Sequence, residues 1–378
     1  MTPPIARAVL AILLTMLPLS AAADGIVRFA TFNASLNARE PGRILERLQT
    51  GTDPQARRVA ELIQRVRPQV LALQELDRDP AGDAVRVFAE KYLAVSQNGA
   101  APIRYPFTVF PESNTGEPLG IDIDGDGRAD GPNDAKGFGY HPGQYAFALL
   151  SQHPIGAVRT FRNFLWRDMP QSLIPPAYYS AAARAVMPLP SKTHLAAQID
   201  LPGGSVWAVI AHPTPPVFDD ERDWNGRRNA DEIRFLTDIA TGADYPIDDA
   251  GVPGGIPPGT PFVIMGDLNA DPDRGDSRKD AIAPLLSHPR LWSQEPRGLA
   301  AVPTATFAGG LRVDYVLGSQ NAGTVTAAGV VRVPRGHEYA DLMEASDHFM
   351  VFVDIAIGEL SNTDAAFNPP PGPSLEAE

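Results

Sequence analysis

The chain has no cysteine among its 378 residues. That excludes disulfides, thiolate metal sites and a cysteine nucleophile. It does not argue against export, because a domain of this size buries enough surface to be stable without cross-links. No Lys/Arg run of the kind that tracks nucleic-acid phosphates occurs, and the formal net charge is −13. So acidic a chain holds a polyanion only where a metal or a local basic cleft compensates. There is no GxSxG segment to mark a serine-hydrolase elbow. Internal repeats are absent, and no apolar run is long enough for a comfortable membrane span.

What is plentiful is proline, with 38 residues, and glycine, with 33, gathered in loops. Hydrophobic residues make up 44%, enough for a sizeable core. The N-terminus reads as a targeting segment. Arg7 is a short positive region, residues 8–19 are apolar, and Ala21-Ala22-Ala23 places small residues where a signal peptidase reads. The expectation is cleavage after Ala23 and an exported enzyme, periplasmic or secreted; a retained N-terminal anchor is the alternative. Residues 359–378 are Pro-rich and acidic and read as a disordered tail. Residues 24–358 then form one folded unit, with a long polar insertion at 98–142.

Several apolar runs read as buried strands: 26–32, 70–73, 145–150, 195–200, 206–210, 262–265, 312–317, 324–333 and 349–357. Residues 195–200 and 206–210 read as a hairpin about Pro202-Gly203-Gly204. Residues 158–161 are expected to pair with 145–150. Residues 53–67, 83–92 and 229–241 have helical spacing. Strands outnumber helices, and no strong linker interrupts them. This predicts one α/β unit of packed sheets with helices outside and with polar strand ends on one rim.

Those strand ends carry the chemistry. Six apolar runs end or begin at Asn33, Glu75, His212, Asp267 with Asn269, Asp314, and Asp347 with His348. Any one of these is ordinary turn or surface chemistry. Together they are four carboxylates, two carboxamides and two histidines. Oxygen ligands suit hard cations such as Mg²⁺, Mn²⁺ or Ca²⁺. In residues 261–272, PFVIMGDLNADP, Asp267 and Asn269 sit two apart at a strand end, after Gly266. A carboxylate there can take a proton from water while the amide holds an oxygen.

At this point the chain resembles the endonuclease/exonuclease/phosphatase superfamily of metal-dependent phosphoesterases. RFATFNASL, LALQELD, YAFALLS, VIAHP, VIMGDLNADP, RVDYVL and ASDHFMVFVDI occur in the family's order from Arg28 to Ile355. The resemblance implies a two-sheet β-sandwich flanked by helices, with the site on one rim. It implies that Glu75 and Asn33 belong to the metal site, with Mg²⁺ or Mn²⁺ as cofactor. It implies that Asp267 activates water and Asn269 binds phosphate. Asp347 would partner His348 and share a second metal, and His348 would contact the scissile phosphate. His212 would lie near the leaving group, and Asp314 would complete the network. The chain departs from the family at Ala211-His212-Pro213, at the loop PTPPVFDDERDWNGRRN that follows, and at Ser35, where some nucleases carry an acid.

Two features stand apart. Lys192 and His194, in SKTHL, can aim positive charge at a phosphate or lie in an exposed loop. Arg227 and Arg228 are expected on a solvated face or paired with Asp231 and Glu232. The second feature is DIDGDGRADGPN. Asp122, Asp124, Asp126 and Asp130 fall at positions one, three, five and nine of a calcium loop, with Gly127 at six. Asn133 replaces the usual Glu at twelve, and no helices flank the loop. That points to a structural Ca²⁺ clip on the insertion, with a metal-free Asp/Gly turn as the alternative.

The substrate stays open between a nuclease's DNA or RNA and a small or lipid-linked phosphoester. A non-catalytic module on the same fold would show a degraded site, and a calcium-dependent adhesion protein would show tandem calcium loops. The chain shows neither. No protein partner is evident.

Overall fold

A computed structural model describes residues 25–292, 299 and 302–358. The targeting segment at 1–23 and the tail at 359–378 lie outside the described residues. Two mixed sheets face one another. The first has strand order β10-β11-β1-β2-β4-β3 and the second β5-β6-β7-β8-β9. In chain order the strands are β1 Ile26–Leu36, β2 Val70–Leu76, β3 Phe107–Val109, β4 Phe147–Ser151, β5 Ile155–Thr160, β6 His194–Leu201, β7 Gly204–Ala211, β8 Phe262–Asp267, β9 Asp314–Gly318, β10 Thr324–Val330 and β11 Val351–Ala356. The α-helices are α1 Arg43–Gln49, α2 Pro54–Val66, α3 Asp83–Phe88, α4 Ala181–Val186, α5 Trp224–Thr241 and α6 Lys279–Leu286.

The continuous apolar runs have a simple cause: the central strands are buried on both faces. Val70 and Ala72 of β2 join Val263 and Met265 of β8 in the core between the sheets. Leu71 and Leu73 point the other way, into a core with Val59, Leu62 and Ile63 of α2. Phe262 and Ile264 of β8 likewise turn outward to Ile233, Leu236 and Ile239 of α5. The result is helix, sheet, sheet and helix in four layers. Asp53 caps α2 by accepting a hydrogen bond from the Ala56 amide, and Arg67 ends it in a left-handed conformation.

Three expectations change. Residues 158–161 do not pair with 145–150. They belong to β5, which pairs with β6 in the second sheet. β4 already has β2 on one edge and β3 on the other, so no edge is free for β5. The segment 98–142 is not wholly a polar excursion, because it contributes β3 and the buried Ile103 and Tyr105. The excursion proper is closed by bridges between Thr115 and Gly137 and between Pro118 and Ala135. Arg228 does not pair with Asp231 or Glu232. It is buried and donates to the carbonyls of Leu189, Pro188 and Lys136. Asp231 instead pairs with Arg234.

Candidate active site

Parallel pairing of β1 with β2 sets Asn33 opposite Gln74, beside Glu75. Antiparallel pairing of β8 with β9 sets Asp267 directly opposite Asp314. β7 runs parallel to β8 and delivers His212 at its end. Gly266 is what permits the approach. A Cβ there would lie 2.0 Å from the Ala211 carbonyl oxygen. Without that atom, the ends of the two strands come together, and His212 Nε2 lies 3.4 Å from Asp267 Oδ2.

Asn33 is the hub between the sheets. Its Nδ2 lies 2.9 Å from Glu75 Oε1, 3.1 Å from Asp267 Oδ2 and 3.4 Å from His348 Nε2. The ring of His348 meets Asp314 through Nδ1, at 2.9 Å from Oδ2, and its Nε2 is 3.7 Å from Asp267 Oδ2. Ligand atoms of Asp267, Asp314 and His348 all lie within 4.8 Å of one another. Asp267 Oδ1 accepts from the Asn269 amide at 2.9 Å, an Asx turn that fixes the carboxylate. Asn269 Nδ2 donates to the Pro213 carbonyl at 3.1 Å, tying β8 to the segment after His212.

The partner of His348 is thus Asp314, not Asp347. Asp347 is exposed, and its Oδ1 accepts from the Ser35 hydroxyl at 2.9 Å. Asp347 contributes its field to His348 and Glu75 but hydrogen-bonds to neither among the described residues. His194 also leaves the group. It faces α5, where Nε2 lies 2.9 Å from the Glu232 carbonyl and the ring meets Phe235 edge-on. Burial holds it neutral by lowering its pKa. SKTHL is not an exposed loop, since Ser191 to Leu195 are all buried.

Lys192 belongs with the cluster. Its ammonium makes no hydrogen bond or ion pair among the described residues, and it is 5% exposed. Burial lowers its pKa, against the fields of Glu232, Glu75 and Asp267. His212 is held well below the usual imidazole range, first by burial and then by Lys192 and His348. It is therefore a neutral ring beside Asp267. Burial raises Glu75, against the Asn33 amide. It also pushes Asp267 up to about 7, with His348 opposing and Asp314 adding to the rise. Burial works against the charge on His348, yet Asp314 and Asp267 outweigh it and raise the pKa to about 10.

Sequence reasoning missed three contributors. Asn37 donates to Glu75 Oε2 at 2.8 Å, so the carboxylate is held by two amides. Tyr145 stands close enough for Glu75 and Asp77 to raise its pKa, after burial. Glu232 of α5 accepts from the Ser191 and Thr214 amides, and so joins the Lys192 segment to the His212 segment. Only Asn37 left a signal, four residues after Asn33 on the same strand extension. Ser35, Glu75, Tyr145 and Asn269 have left-handed φ of 48°, 55°, 57° and 52°. Non-glycine residues in that region cost energy and gather at functional sites.

The donors fit a divalent cation. Asp267 and Asp314 bring two carboxylates into a buried space, where Asp314 Oδ1 has no hydrogen-bond partner, and the Asn33 amide links Glu75 to Asp267. Carboxylate and carboxamide oxygens are the ligands that hard cations take. On the insertion, carboxylate oxygens of the exposed Asp122, Asp124 and Asp126 also lie within 4.8 Å of one another. Asp130 instead pairs with Arg128 at 3.1 Å.

A search of curated proteins found no match. Among solved structures, an endonuclease/exonuclease/phosphatase from Beutenbergia cavernae is 21% identical, with a TM-score of 0.51 over 88% of this chain and 72% of that one. The human Nocturnin catalytic domain with bound sulfate is 15% identical, with a TM-score of 0.47 over 88% and 94%. Sphingomyelinase C from Streptomyces griseocarneus is 16% identical, with a TM-score of 0.45 over 87% and 99%. The profile described as Endonuclease/Exonuclease/phosphatase family matches residues 30–348, from β1 to the histidine of the cluster. The chain belongs to that family of phosphoester hydrolases.

Proposed function

We propose that the chain is an exported, divalent-metal-dependent phosphoesterase that cleaves a phosphomonoester or phosphodiester by in-line attack of water. The observation that carries this reading is the position of Asp267. Its Oδ2 faces Asn33, His212 and His348 at 3.1, 3.4 and 3.7 Å. Glu75 and Asn33 would hold Mg²⁺ or Mn²⁺, with Asp347 at the outer edge. When bound, such a cation polarises a phosphoryl oxygen.

The chain's own groups do the rest. Asp267 takes the proton of the attacking water. His348, protonated and oriented by Asp314, contacts the scissile phosphate and donates to the leaving oxygen. Neutral His212 and Asn269 hold the remaining oxygens, and Lys192 adds charge that no protein carboxylate claims by a hydrogen bond. A nuclease acting on DNA or RNA remains the alternative substrate reading. The insertion loop takes Ca²⁺ through Asp122, Asp124 and Asp126. The proposal of export rests on the N-terminal segment alone.

The test is a panel: plasmid DNA, RNA, p-nitrophenyl and bis-p-nitrophenyl phosphate, inositol phosphates and sphingomyelin, with Mg²⁺, Mn²⁺ or EDTA. Cleavage that EDTA abolishes and Asp267→Asn removes is the expected result. Cleavage indifferent to both would defeat the reading.

A further inference from the structure

We propose that Phe138, Tyr140 and Arg39 form a stacking subsite tied to the segment of Asn37, the residue that holds Glu75, and that it receives a flat ring carried by the phosphoester, a nucleobase of a nucleic-acid strand. This rests on the hydrolase reading above and adds the class of substrate.

Phe138 and Tyr140 are 49% and 46% exposed. Their rings pack edge to face, with centroids 5.6 Å apart. The Arg39 guanidinium lies 4.5 Å from the Tyr140 centroid, and it makes no ion pair among the described residues. In a chain of net charge −13 an unclaimed arginine has an electrostatic preference for an anionic ligand.

Both flanks of this pair are fixed, and both fixings lead to the site. Upstream, Gly137 lies flush on Ser191, where a Cβ would fall 1.8 Å from the carbonyl oxygen. Ser191 precedes Lys192. Downstream, His141 Nε2 and Gln144 Nε2 lie 3.1 and 2.7 Å from the Ala38 carbonyl oxygen. Ala38 sits between Arg39 and Asn37, and Asn37 holds Glu75. Asp77 accepts the amides of both Ala38 and Tyr145. The exposed pair is thus suspended between the Lys192 segment and the Glu75 segment.

A rigid ring pair with an adjacent guanidinium matches a strand of nucleic acid. A base stacks on the aromatic face while the cation meets the neighbouring phosphate. A lipid surface asks for something else: apolar side chains on a protruding element that can enter the acyl region. Here both flanks are tied down, and a guanidinium covers one face of Tyr140.

The experiment compares kcat/KM on a thymidine dinucleotide phosphodiester with that on its counterparts lacking one base or the other, in Mn²⁺. Removing the stacked base should cost about tenfold, the scale of one base–aromatic contact. Phe138→Ala with Tyr140→Ala should slow the base-bearing dinucleotide to the rate of the abasic one and leave the abasic rate unchanged. Tyr140→Phe should keep the preference, and Arg39→Gln should raise KM with kcat intact. Equal rates on base-bearing and abasic substrates overturn the inference while leaving the hydrolase reading in place. So does a double variant that cleaves dinucleotides normally but no longer binds sphingomyelin–phosphatidylcholine vesicles. Calorimetric binding of both dinucleotides to Asp267→Asn protein reads the subsite without turnover. Discrimination there, with no turnover by the unmutated protein, defeats the hydrolase reading alone.

Discussion

At the scale of single residues, Asp267 and His348 divide the proton chemistry. The base must be ionised and the acid protonated. Burial raises Asp267 to about 7, so activity at low cation climbs as pH passes that value. His348, raised to about 10 by Asp314 and Asp267 against its burial, keeps its proton until the alkaline limb. The two are coupled, so the limbs belong to the cluster rather than to single groups. A bound cation favours ionised Asp267 and should move the acid limb down. Asp314→Asn removes the carboxylate 2.9 Å from Nδ1 and should move the alkaline limb down. Profiles of kcat/KM for both proteins check this, and an alkaline limb unmoved in Asp314→Asn rejects the pairing. Stability follows the same signs. The contribution of His348 is complete below its unfolded value of 6.5 and fades as pH rises through about 10. Asp267 has the reverse effect for a carboxylate, weakening the metal-free fold between 3.8 and about 7 as it ionises. On the rate itself, Asp267→Asn keeps the shape and removes the base. Initial rates should fall by roughly a hundredfold or more, with KM little changed.

At the scale of elements, the strand ends govern the site. Gly266→Ala would drive a methyl against the Ala211 carbonyl and push β8 from β7. We expect a loss of about 1–3 kcal/mol in denaturant unfolding, the usual cost of overpacking, with a fall in kcat as His212 and Asp267 separate. Unchanged stability would mean the strands have slack there. The sequence announced most of these elements because strands buried on both faces leave unbroken apolar runs, as in Val70 to Leu73. It also showed which polar residues close them. It did not show which sheet β5 would join, because a six-residue half-buried strand carries no mark of its partner. Nor did it show His348 choosing Asp314 over Asp347, which depends on the assembled sheets bringing β9 beside the His348 segment. Tyr145 escaped notice because its left-handed φ is a property of the assembled turn.

At the scale of the whole molecule, two separate carboxylate clusters are candidates for a cation, and they can be read independently. One lies on the rim between the sheets, where Glu75 comes from the first sheet and Asp267 and Asp314 from the second. A cation held there would draw on residues of both sheets. The other lies at the tip of the insertion, in Asp122, Asp124 and Asp126. Leu119, Ile121 and Ile123, before and within that tip, pack against the core of Phe161, Trp166 and Phe235, as do Tyr178 and Trp224. Anything that binds only the folded state stabilises it by mass action, about 2.7 kcal/mol at a hundred times Kd. The melting temperature should therefore rise by a few degrees with Mn²⁺ and, separately, with Ca²⁺. Glu75→Gln should remove most of the Mn²⁺ increment and spare that of Ca²⁺. Asp124→Asn with Asp126→Asn should do the opposite and leave turnover intact. A general screening of the net charge of −13 would raise all three proteins alike with either ion. Melting curves of the three proteins with each ion, at one ionic strength, separate these outcomes. Equal increments in all three would reject both sites, whereas the crossed pattern would place one cation between the sheets and the other on the insertion.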